Sequence, residues 1–392
     1  MITRYLQAAV KEDIDKKIVF IAGPRQVGKT TLAKQTAEAF FPGKYSYLNW
    51  DNRQDRKIIL SAAYEADKKL FIFDEIHKYK NWKNYIKGEY DKHKEHFKML
   101  VTGSARLDIY RKGGDSLLGR YCYYRLCPLS LAELLGKITP IVPFKELEFS
   151  ISSALNKELL SKLFKFGGFP EIFLAQNEKA LRRWHNQRID RLVKEDIRDV
   201  ENLRDLSALQ VLVELLSGKV GSLFSLNSLR EDLGVNYKTI ALWVEILEKF
   251  YYHFRIYPFQ SKKIKSLRKE PKLYLWDWSE ISDDGIRFEN MIALHLLKFC
   301  YFLYDAQGYR ANLYYLRDSE KREVDLLVTV DDKPWFCVET KVSFRDVPLS
   351  LKYFSTRLKI PFVYEVVKEE GIDYLKGDIR IISASKFLTA FV

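Results

Sequence analysis

The chain has 392 residues, too many for one ordinary core, and its 47% hydrophobic content suffices for cores in about two to four domains. Its formal charge of +13 favours a polyanionic partner, first nucleic acid and then an anionic membrane surface. The four cysteines lack C-x-x-C spacing, which argues against a disulfide framework and a zinc site. Because no signal-peptide profile or membrane-length apolar run is present, we expect a cytoplasmic protein with no membrane partner.

The strongest motif begins at an apolar strand, Ile18–Ala22, which runs into G-x-x-x-x-G-K-T and then into a helix. In such a loop the glycines let backbone N–H groups surround the β-phosphate, Lys29 reaches the β- and γ-phosphates, and the Thr30 hydroxyl joins the Mg²⁺ ligands. A fortuitous glycine turn would not require the flanking strand and helix. The motif therefore predicts ATP and Mg²⁺ binding by Gly23, Pro24, Arg25, Gln26, Val27, Gly28, Lys29, Thr30 and Thr31.

A second nucleotide signal is the apolar run Leu70–Phe73, which ends in Asp74 and Glu75. A buried parallel strand has this composition, and its carboxyl end is where an α/β sheet presents ligands. We expect Asp74 to hold Mg²⁺ through water and Glu75 to orient and deprotonate the attacking water. A solvated acidic turn would explain the two residues alone, but the phosphate loop upstream favours the functional interpretation.

Two further residues are candidates for the same site. The strand that begins at Lys98 ends in small polar residues, so that Ser104 lies where a sensor of the γ-phosphate would be. Arg120 closes a loop and is a candidate catalytic arginine finger, acting in cis or from a neighbouring subunit by neutralising charge on the transferred phosphoryl group. A structural ion pair is an equally good interpretation of Arg120.

The middle of the chain has the order of a winged helix. One helix is indicated around Leu209–Leu216, a second at Ser225–Leu233 ends at Gly234, and a third at Tyr237–Lys249 is capped by Asn236. We expect the third helix to bury Ile240, Val244 and Leu247 and to expose Trp243 and its polar N-terminal residues. A strand and a basic segment at 261–269 would follow as the wing. The predicted DNA-binding residues are Asn236, Tyr237, Lys238, Thr239, Lys262, Lys263, Lys265, Arg268 and Lys269. A packing or protein-contact module is the alternative.

The C-terminal third contains a set of acidic residues and one lysine. Glu289 interrupts an apolar helix, Asp325 lies in a strand, and Glu339 and Lys341 lie two apart, hence on one face, in the next strand. The three acids are predicted to hold Mg²⁺ or Mn²⁺, and Lys341 to activate a hydrolytic water and steady charge on a phosphate. A surface salt bridge is the alternative for the E-x-K segment alone.

The segments GPRQVGKT, LFIFDE, VTGSA and GR…PLSLAE resemble, in residue identity and order, prokaryotic AAA+ type ATPases paired with a domain of unknown function, DUF4143. The likeness to DUF4143 extends from Phe166 to Val392 and includes the G-G-x-P element at 167–170. The D…E-x-K set with its upstream helical Glu289 resembles PD-(D/E)XK nucleases. The likeness implies an AAA+ homo-oligomer, such as a ring. It does not imply one activity, because many nuclease-like folds only bind DNA.

Together these signals predict an α/β protein with four parts. They are an AAA+ type P-loop ATPase (1–140), a helical connector (141–205), a winged-helix DNA-binding domain (206–270) and a PD-(D/E)XK nuclease-like domain (271–392). The expected function is ATP hydrolysis coupled to DNA binding and metal-dependent cleavage, with Glu75, Arg120, Asp325, Glu339 and Lys341 as catalytic residues. The alternatives are a non-nucleolytic ATP-driven remodeller of branched or duplex DNA and a nucleotide-gated protein-binding switch.

Overall fold

The computed structural model describes residues 2–103, 117, 119–137, 141–151, 153–197, 206–260 and 269–392, with residues 194–196 described by their backbone alone. Two compact units are present: unit 1 contains residues 3–127 and 305–307, and unit 2 contains residues 128–304 and 308–392. No helix within these described ranges is long and apolar enough to cross a membrane. The finer division into four domains stays a prediction.

Unit 1 is built on a five-stranded sheet in the order β2-β3-β4-β1-β5, in which all neighbouring strands are parallel. Strands β1 and β3 are buried along their whole length, as expected for apolar runs in a parallel sheet. Parallel neighbours bring the carboxyl ends of β1, β3 and β4 to one edge. The elements are α1 (Gln7–Ile14), β1 (Ile18–Ala22), α2 (Lys29–Phe40), β2 (Tyr45–Asn49), α3 (Arg53–Ser61), β3 (Leu70–Asp74), α4 (Trp82–His93), β4 (Lys98–Thr102) and β5 (Tyr121–Arg125).

Unit 2 begins with helices, which carry the middle third of the chain. Helices lie at the three positions predicted for this part of the chain. Gly234 ends the second helix with a left-handed φ of 65°, and the Asn236 side chain accepts a hydrogen bond from the Thr239 N–H at 2.9 Å. The helices are α5 (Leu131–Leu134), α6 (Ala154–Phe166), α7 (Pro170–Ala175), α8 (Glu178–Arg191), a π-helical segment (Leu192–Ile197), α9 (Leu206–Ser217), α10 (Leu226–Leu233) and α11 (Tyr237–Lys249).

The expected exposure of Trp243 is wrong, because only 4% of this residue is accessible. Trp243 lies three residues after Ile240, one before Val244 and four before Leu247, so it shares the buried face of α11. Asn236, Tyr237 and Lys238 at the start of the helix are exposed, as predicted.

The rest of unit 2 forms an eight-stranded sheet in the order β12-β13-β11-β10-β9-β8-β6-β7. The strand expected to begin the wing, β6, pairs antiparallel with β7 and parallel with β8, so it belongs to this sheet. The elements are β6 (His253–Pro258), β7 (Lys272–Leu275), α12 (Asp284–Asp305), β8 (Ala311–Arg317), β9 (Glu323–Val330), β10 (Lys333–Lys341), α13 (Leu349–Leu358), β11 (Phe362–Val367), β12 (Asp373–Lys376), β13 (Ile379–Ser383) and α14 (Ala384–Phe387).

The hairpin between β9 and β10 turns at Asp331 and Asp332, whose φ angles of 49° and 62° are both left-handed. Two-residue hairpin turns of this kind require positive φ at both positions, which aspartate tolerates better than most residues. This tight turn fixes the register that brings β9 beside β10.

The G-G-x-P element at 167–170 joins α6 to α7, and both of its glycines are required by close packing. A Cβ on Gly167 would lie 2.7 Å from a carboxylate oxygen of Asp277, and one on Gly168 would lie 2.7 Å from the carbonyl oxygen of Leu129. The G-G pair is thus a packing feature of unit 2.

Candidate functional sites

The phosphate loop follows β1 and leads into α2, as the motif predicts. Gly23, Gln26 and Gly28 have φ angles of 152°, 62° and 98°, which fold the loop around the N-terminus of the helix. A Cβ on Gly23 would lie 2.3 Å from the carbonyl oxygen of Leu126. Glycine is therefore required at this position by contact as well as by backbone conformation. The helix N-terminus, with its free N–H groups, is suited to bind an anion.

Lys29 is buried inside this loop, with 8% of the residue accessible. Its ammonium group donates hydrogen bonds to the carbonyl oxygens of Gly23, at 3.0 Å, and Pro24, at 2.7 Å. These contacts hold the positive charge at the loop. Phosphate oxygens are stronger acceptors than neutral carbonyl groups, so a bound triphosphate can take over the ammonium hydrogens.

Asp74 lies at the carboxyl end of β3 and accepts three hydroxyl hydrogen bonds. Thr30 and Tyr47 donate to its Oδ2 atom at 2.8 Å and 2.6 Å, and Thr102 donates to Oδ1. The predicted pair Thr30 and Asp74 is therefore in direct contact. Tyr47 was not predicted as a site residue, because nothing in the sequence of β2 shows that its hydroxyl reaches the next strand.

Glu75 follows Asp74 in a left-handed conformation, with φ of 56°. Burial raises the pKa of its carboxyl group, and Asp74 raises it further, while Lys29 and Lys78 act in the opposite direction. The Nζ atom of Lys78 is 3.6 Å from Glu75 Oε2. A carboxylate with a raised pKa is a better proton acceptor, which suits the predicted role as general base.

The two other residues predicted for the ATP site are Ser104 and Arg120. Ser104 lies outside the described residues. The guanidinium of Arg120 forms a two-point contact with Asp91, with distances of 2.8 Å from Nε to Oδ1 and 3.3 Å from Nη2 to Oδ2. The structure thus shows the ion-pair arrangement that was one of the two interpretations of Arg120.

Arg4 supports the phosphate loop and was missed by the sequence reasoning. Only 4% of it is accessible, and its guanidinium donates to the carbonyl oxygens of Val27, at 2.7 Å, and Cys127, at 2.5 Å. Val27 lies in the loop, and Cys127 follows β5. Because the two carbonyls are distant in sequence, no local pattern indicates this contact.

A cavity of about 660 Å³ opens beside the loop within unit 1. Its volume is in the range of ordinary small-molecule sites. The lining includes Thr30 and Thr31 at the start of α2, Lys34 and Gln35 one turn further, and Gln7 of α1.

In unit 2 the structure brings Glu289 and Asp325 together around a lysine that was not predicted. Lys272 Nζ lies 3.2 Å from Glu289, 2.7 Å from Glu323 and 3.5 Å from Asp325. We call these four residues the lysine cluster. Burial lowers the pKa of Lys272, but the three carboxylates outweigh it, so the pKa lies above its ordinary value and the lysine is charged.

Two carboxylates of the cluster, those of Glu289 and Asp325, also accept hydrogen bonds from neutral donors. Tyr274 donates to Glu289 Oε1 at 2.7 Å, and the backbone N–H and hydroxyl of Thr340 donate to Asp325 Oδ2 at 2.9 Å and 2.8 Å. Burial, and then Asp325, raise the pKa of Glu289 to about 7 against the opposing effect of Lys272. The carboxylates of the lysine cluster are thus engaged by Lys272, Tyr274 and Thr340 rather than left as open oxygens.

Glu339 and Lys341 point the same way on β10, as predicted, and Lys341 Nζ lies 2.7 Å from Glu339 Oε1. The second oxygen, Oε2, is buried and has no hydrogen-bond donor among the described residues. Burial and Asp325 raise the pKa of Glu339 to about 7, against the opposing effect of Lys341. In the described part of the chain, no group of three or more His, Cys, Asp and Glu side chains is arranged to hold a metal.

Of the predicted DNA contacts, Lys262, Lys263, Lys265 and Arg268 lie outside the described residues. Lys269, which follows them, is exposed. Tyr237 is 50% accessible at the start of α11.

Comparison with known families agrees with this geometry. Residues 15–135 match the family described as AAA domain, residues 157–279 the Domain of unknown function (DUF8612), and residues 284–387 the Domain of unknown function (DUF4143). The parallel sheet, the loop and the AAA match support a P-loop ATPase domain of the AAA+ type in unit 1, and a region of unit 2 is similar to DUF4143. The match to DUF4143 begins at residue 284 rather than 166, and a separate family covers most of the part between.

The chain is similar to proteins that are themselves uncharacterized. One from Methanocaldococcus jannaschii is 26% identical over 341 residues, which cover 82% of this chain and 74% of the relative. Another, from Mycobacterium tuberculosis, is 23% identical over 383 residues, or 95% of this chain and 81% of the relative.

Solved structures give weaker similarities. The Thermotoga maritima RuvB Holliday junction branch migration motor is 18% identical over 64% of this chain and 85% of that chain, with a TM-score of 0.30. A katanin structure is 16% identical over 53% of this chain and 71% of that chain, with a TM-score of 0.25. TM-scores this low do not establish a shared overall fold.

Proposed function

We propose that the protein binds and hydrolyses ATP in unit 1 and couples this reaction to an action on DNA. The contact between Thr30 and Asp74, beside the Lys29 loop, carries the ATP part of the proposal. A hydroxyl and a carboxylate at this spacing fit a hydrated Mg²⁺, which would neutralise charge on the β- and γ-phosphates. We assign the phosphate contacts to the loop N–H groups and Lys29, and the nucleoside to the cavity beside Thr31 and Gln7.

In the proposed reaction, Glu75 orients a water molecule towards the γ-phosphate and accepts its proton. Its raised pKa supports that role, since the carboxylate binds a proton more readily than an exposed glutamate does. Lys29 leaves the carbonyls of Gly23 and Pro24 and donates to the phosphates instead. Asp74 and Thr30 hold the metal side of the site.

The test is ATP binding and phosphate release by three kinds of variant. Lys29→Met is expected to weaken ATP binding at least tenfold, about 1.4 kcal/mol, because a charged phosphate contact is lost. Glu75→Gln is expected to keep ATP affinity within about twofold and to lower kcat about 100-fold, as expected for a lost general base. The exposed residues Lys57 and Glu65 supply matched controls, Lys57→Met and Glu65→Gln. Normal turnover by Glu75→Gln would refute its assignment.

An oligomer is part of the proposal, with Arg120 acting on the nucleotide of a neighbouring subunit. Arg120 is partly exposed, and its partner Asp91 is a surface residue that it can leave. Mixing Arg120→Ala with Lys29→Met tests this arrangement. Each protomer lacks activity alone, and the mixture regains ATPase activity if the arginine acts in trans. No recovery would rule out the trans arrangement.

DNA binding is proposed for the exposed N-terminal end of α11 and the basic segment before β7. The exposed Tyr237 and Lys238 and the net charge of +13 support it. We expect Lys238→Ala to weaken duplex binding and to reduce the slope of log K against log salt by about 1. Lys179→Ala, on the exposed face of α8, is the matched control. Equal salt slopes for both variants and the parent would show that α11 is not part of the DNA-binding surface.

A second candidate activity is metal-dependent cleavage of phosphodiesters at Glu339 and Lys341. Its support is the exposed fraction of the Lys341 side chain, 43%, beside a buried Glu339 oxygen that has no donor in the described part of the chain. Labelled linear and branched DNA with Mg²⁺ or Mn²⁺, with and without ATP, tests it. Cleavage that is lost in Lys341→Met and Asp325→Asn supports a nuclease. Strand movement without cleavage would instead indicate an ATP-driven DNA remodeller. Absence of DNA binding would indicate the nucleotide-gated protein-binding switch.

A further inference from the structure

Glu365 is a buried acid that no motif predicted. It lies in the middle of β11, between apolar residues, and 0% of it is accessible. Neither of its carboxylate oxygens has a hydrogen-bond partner among the described residues. A buried carboxylate left unpaired is costly, so natural structures pair such groups with a cation, a proton or a hydrogen-bond donor.

The sheet brings Glu365 beside Glu339. The two residues are direct partners in the parallel pairing of β10 with β11. Cys337 and Val363, two residues earlier on the same strands, are also partners, and both belong to one apolar core cluster. Because side chains two apart share a face, Glu339 and Glu365 point to that same side, on strands about 4.8 Å apart.

The charges near this pair do not balance within the described residues. Lys341 contacts one oxygen of Glu339, and no donor from the described ranges reaches Glu339 Oε2 or either oxygen of Glu365. Lys272 already contacts the three carboxylates of the lysine cluster. Lys376, the other cation near Glu365, has its Nζ atom 2.7 Å from Asp346. The pair therefore keeps an excess negative charge and three buried oxygens with the chemistry of ligands for a hard cation.

We propose that one divalent cation, Mg²⁺ or Mn²⁺, binds between Glu339 Oε2 and Glu365, while the ammonium group of Lys272 takes the place of a metal between Glu289 and Asp325. Two carboxylates suffice for such an ion, because Mg²⁺ keeps several waters and accepts substrate phosphate oxygens as further ligands. The proposed metal site therefore uses Glu365 of β11, whereas the sequence motif predicted Glu289 and Asp325 as the partners of Glu339. This inference rests on the second candidate activity, phosphodiester cleavage beside Lys341.

The experiment measures Mn²⁺ binding directly, as the loss of the free-ion electron paramagnetic resonance signal, with the full chain and no nucleotide. All proteins carry Asp74→Asn, so that the ATP site does not contribute. We expect the parent to bind one Mn²⁺ and Glu365→Gln to weaken this binding at least tenfold. Glu289→Gln, which alters the lysine cluster, is the matched control and is expected to change the affinity less than about twofold.

Melting temperatures separate lost binding from lost folding. Without metal, Glu365→Gln should melt no lower than the parent, since it removes an unpaired buried charge. Should it fail to fold, Glu339→Gln provides the same test on the other ligand. Retained Mn²⁺ binding in Glu365→Gln, with loss in Glu289→Gln, would overturn this inference and leave the cleavage proposal standing. A parent that binds no Mn²⁺ would overturn both, and the two carboxyl groups would then share a proton.

Discussion

The Thr30 hydroxyl donates to Asp74 Oδ2 at 2.8 Å, and this contact joins the phosphate loop to the neighbouring strand end. Tyr47 and Thr102 hold the same carboxylate from β2 and β4. Asp74 is thus fixed by three strands or helices of unit 1 before any metal arrives. A carboxylate that is already oriented loses less freedom when it binds an ion, which favours Mg²⁺ binding.

Removal of the Tyr47 hydroxyl should therefore weaken Mg²⁺ binding. In Tyr47→Phe one of the two donors to Asp74 Oδ2 is lost, worth about 1.5–3 kcal/mol for a hydrogen bond to a charged group. We expect the Mg²⁺ concentration for half-maximal ATPase activity to rise about fivefold or more. Tyr90→Phe is the control, because the Tyr90 hydroxyl donates to the backbone carbonyl of the exposed Lys16, at 3.3 Å, and not to Asp74. An unchanged Mg²⁺ requirement would show that Tyr47 does not orient Asp74.

Two glycine-to-alanine changes in unit 1 should have opposite effects. Gly23→Ala places a Cβ 2.3 Å from the Leu126 carbonyl oxygen, so the loop or β5 must shift, at a cost of about 1–3 kcal/mol. Gly88 lies inside α4 with open space around its Cβ position, so Gly88→Ala should stabilise by about 0.5–1 kcal/mol. Chemical denaturation measures both, and ATP affinity should fall in Gly23→Ala alone. Equal stability of the two variants would contradict the close approach at Gly23.

Loss of Arg4 should loosen the phosphate loop. Arg4→Met leaves the carbonyls of Val27 and Cys127 buried without that donor, which costs about 1–3 kcal/mol for each group. We expect a lower melting temperature and weaker ATP binding, which saturating ATP partly restores because ligand binding favours the ordered loop. The exposed Arg53 supplies the control, Arg53→Met. Unchanged ATP affinity in a destabilised Arg4→Met would limit Arg4 to a purely structural role.

The ATP site was predictable because its ligands lie in short segments that end on neighbouring parallel strands. Gly23–Thr31 and Asp74 follow from local pattern and from the rule that ligands meet at the carboxyl ends of parallel strands. Arg4, Tyr47 and Lys272 could not be found in this way, because their partners are distant in sequence. A single charge in the apolar strand β11 was the available signal for Glu365, and only the register with β10 gives it meaning.

The change of stability with pH should come in part from His295, a buried residue of α12. It is 3% accessible, with Nδ1 2.7 Å from the Met291 carbonyl oxygen and Nε2 buried without a partner among the described residues. Burial lowers its pKa to about 4, with the Lys298 charge acting in the same direction and the Met291 carbonyl and Glu133 opposing it.

Protonation at mildly acidic pH should therefore favour the unfolded chain. Above pH 6.5 the histidine is neutral in both states and its contribution to stability is complete, and this contribution falls as the pH approaches 4. Between pH 7.5 and pH 5.0, His295 is expected to lower the free energy of unfolding by about 2 kcal/mol. This value follows from about 1.4 kcal/mol per unit of pKa difference. Urea denaturation at the two pH values should show a smaller loss for His295→Leu than for the parent. His96→Leu, at an exposed position, should behave like the parent, and a parent-like loss in His295→Leu would assign the acid sensitivity to other groups.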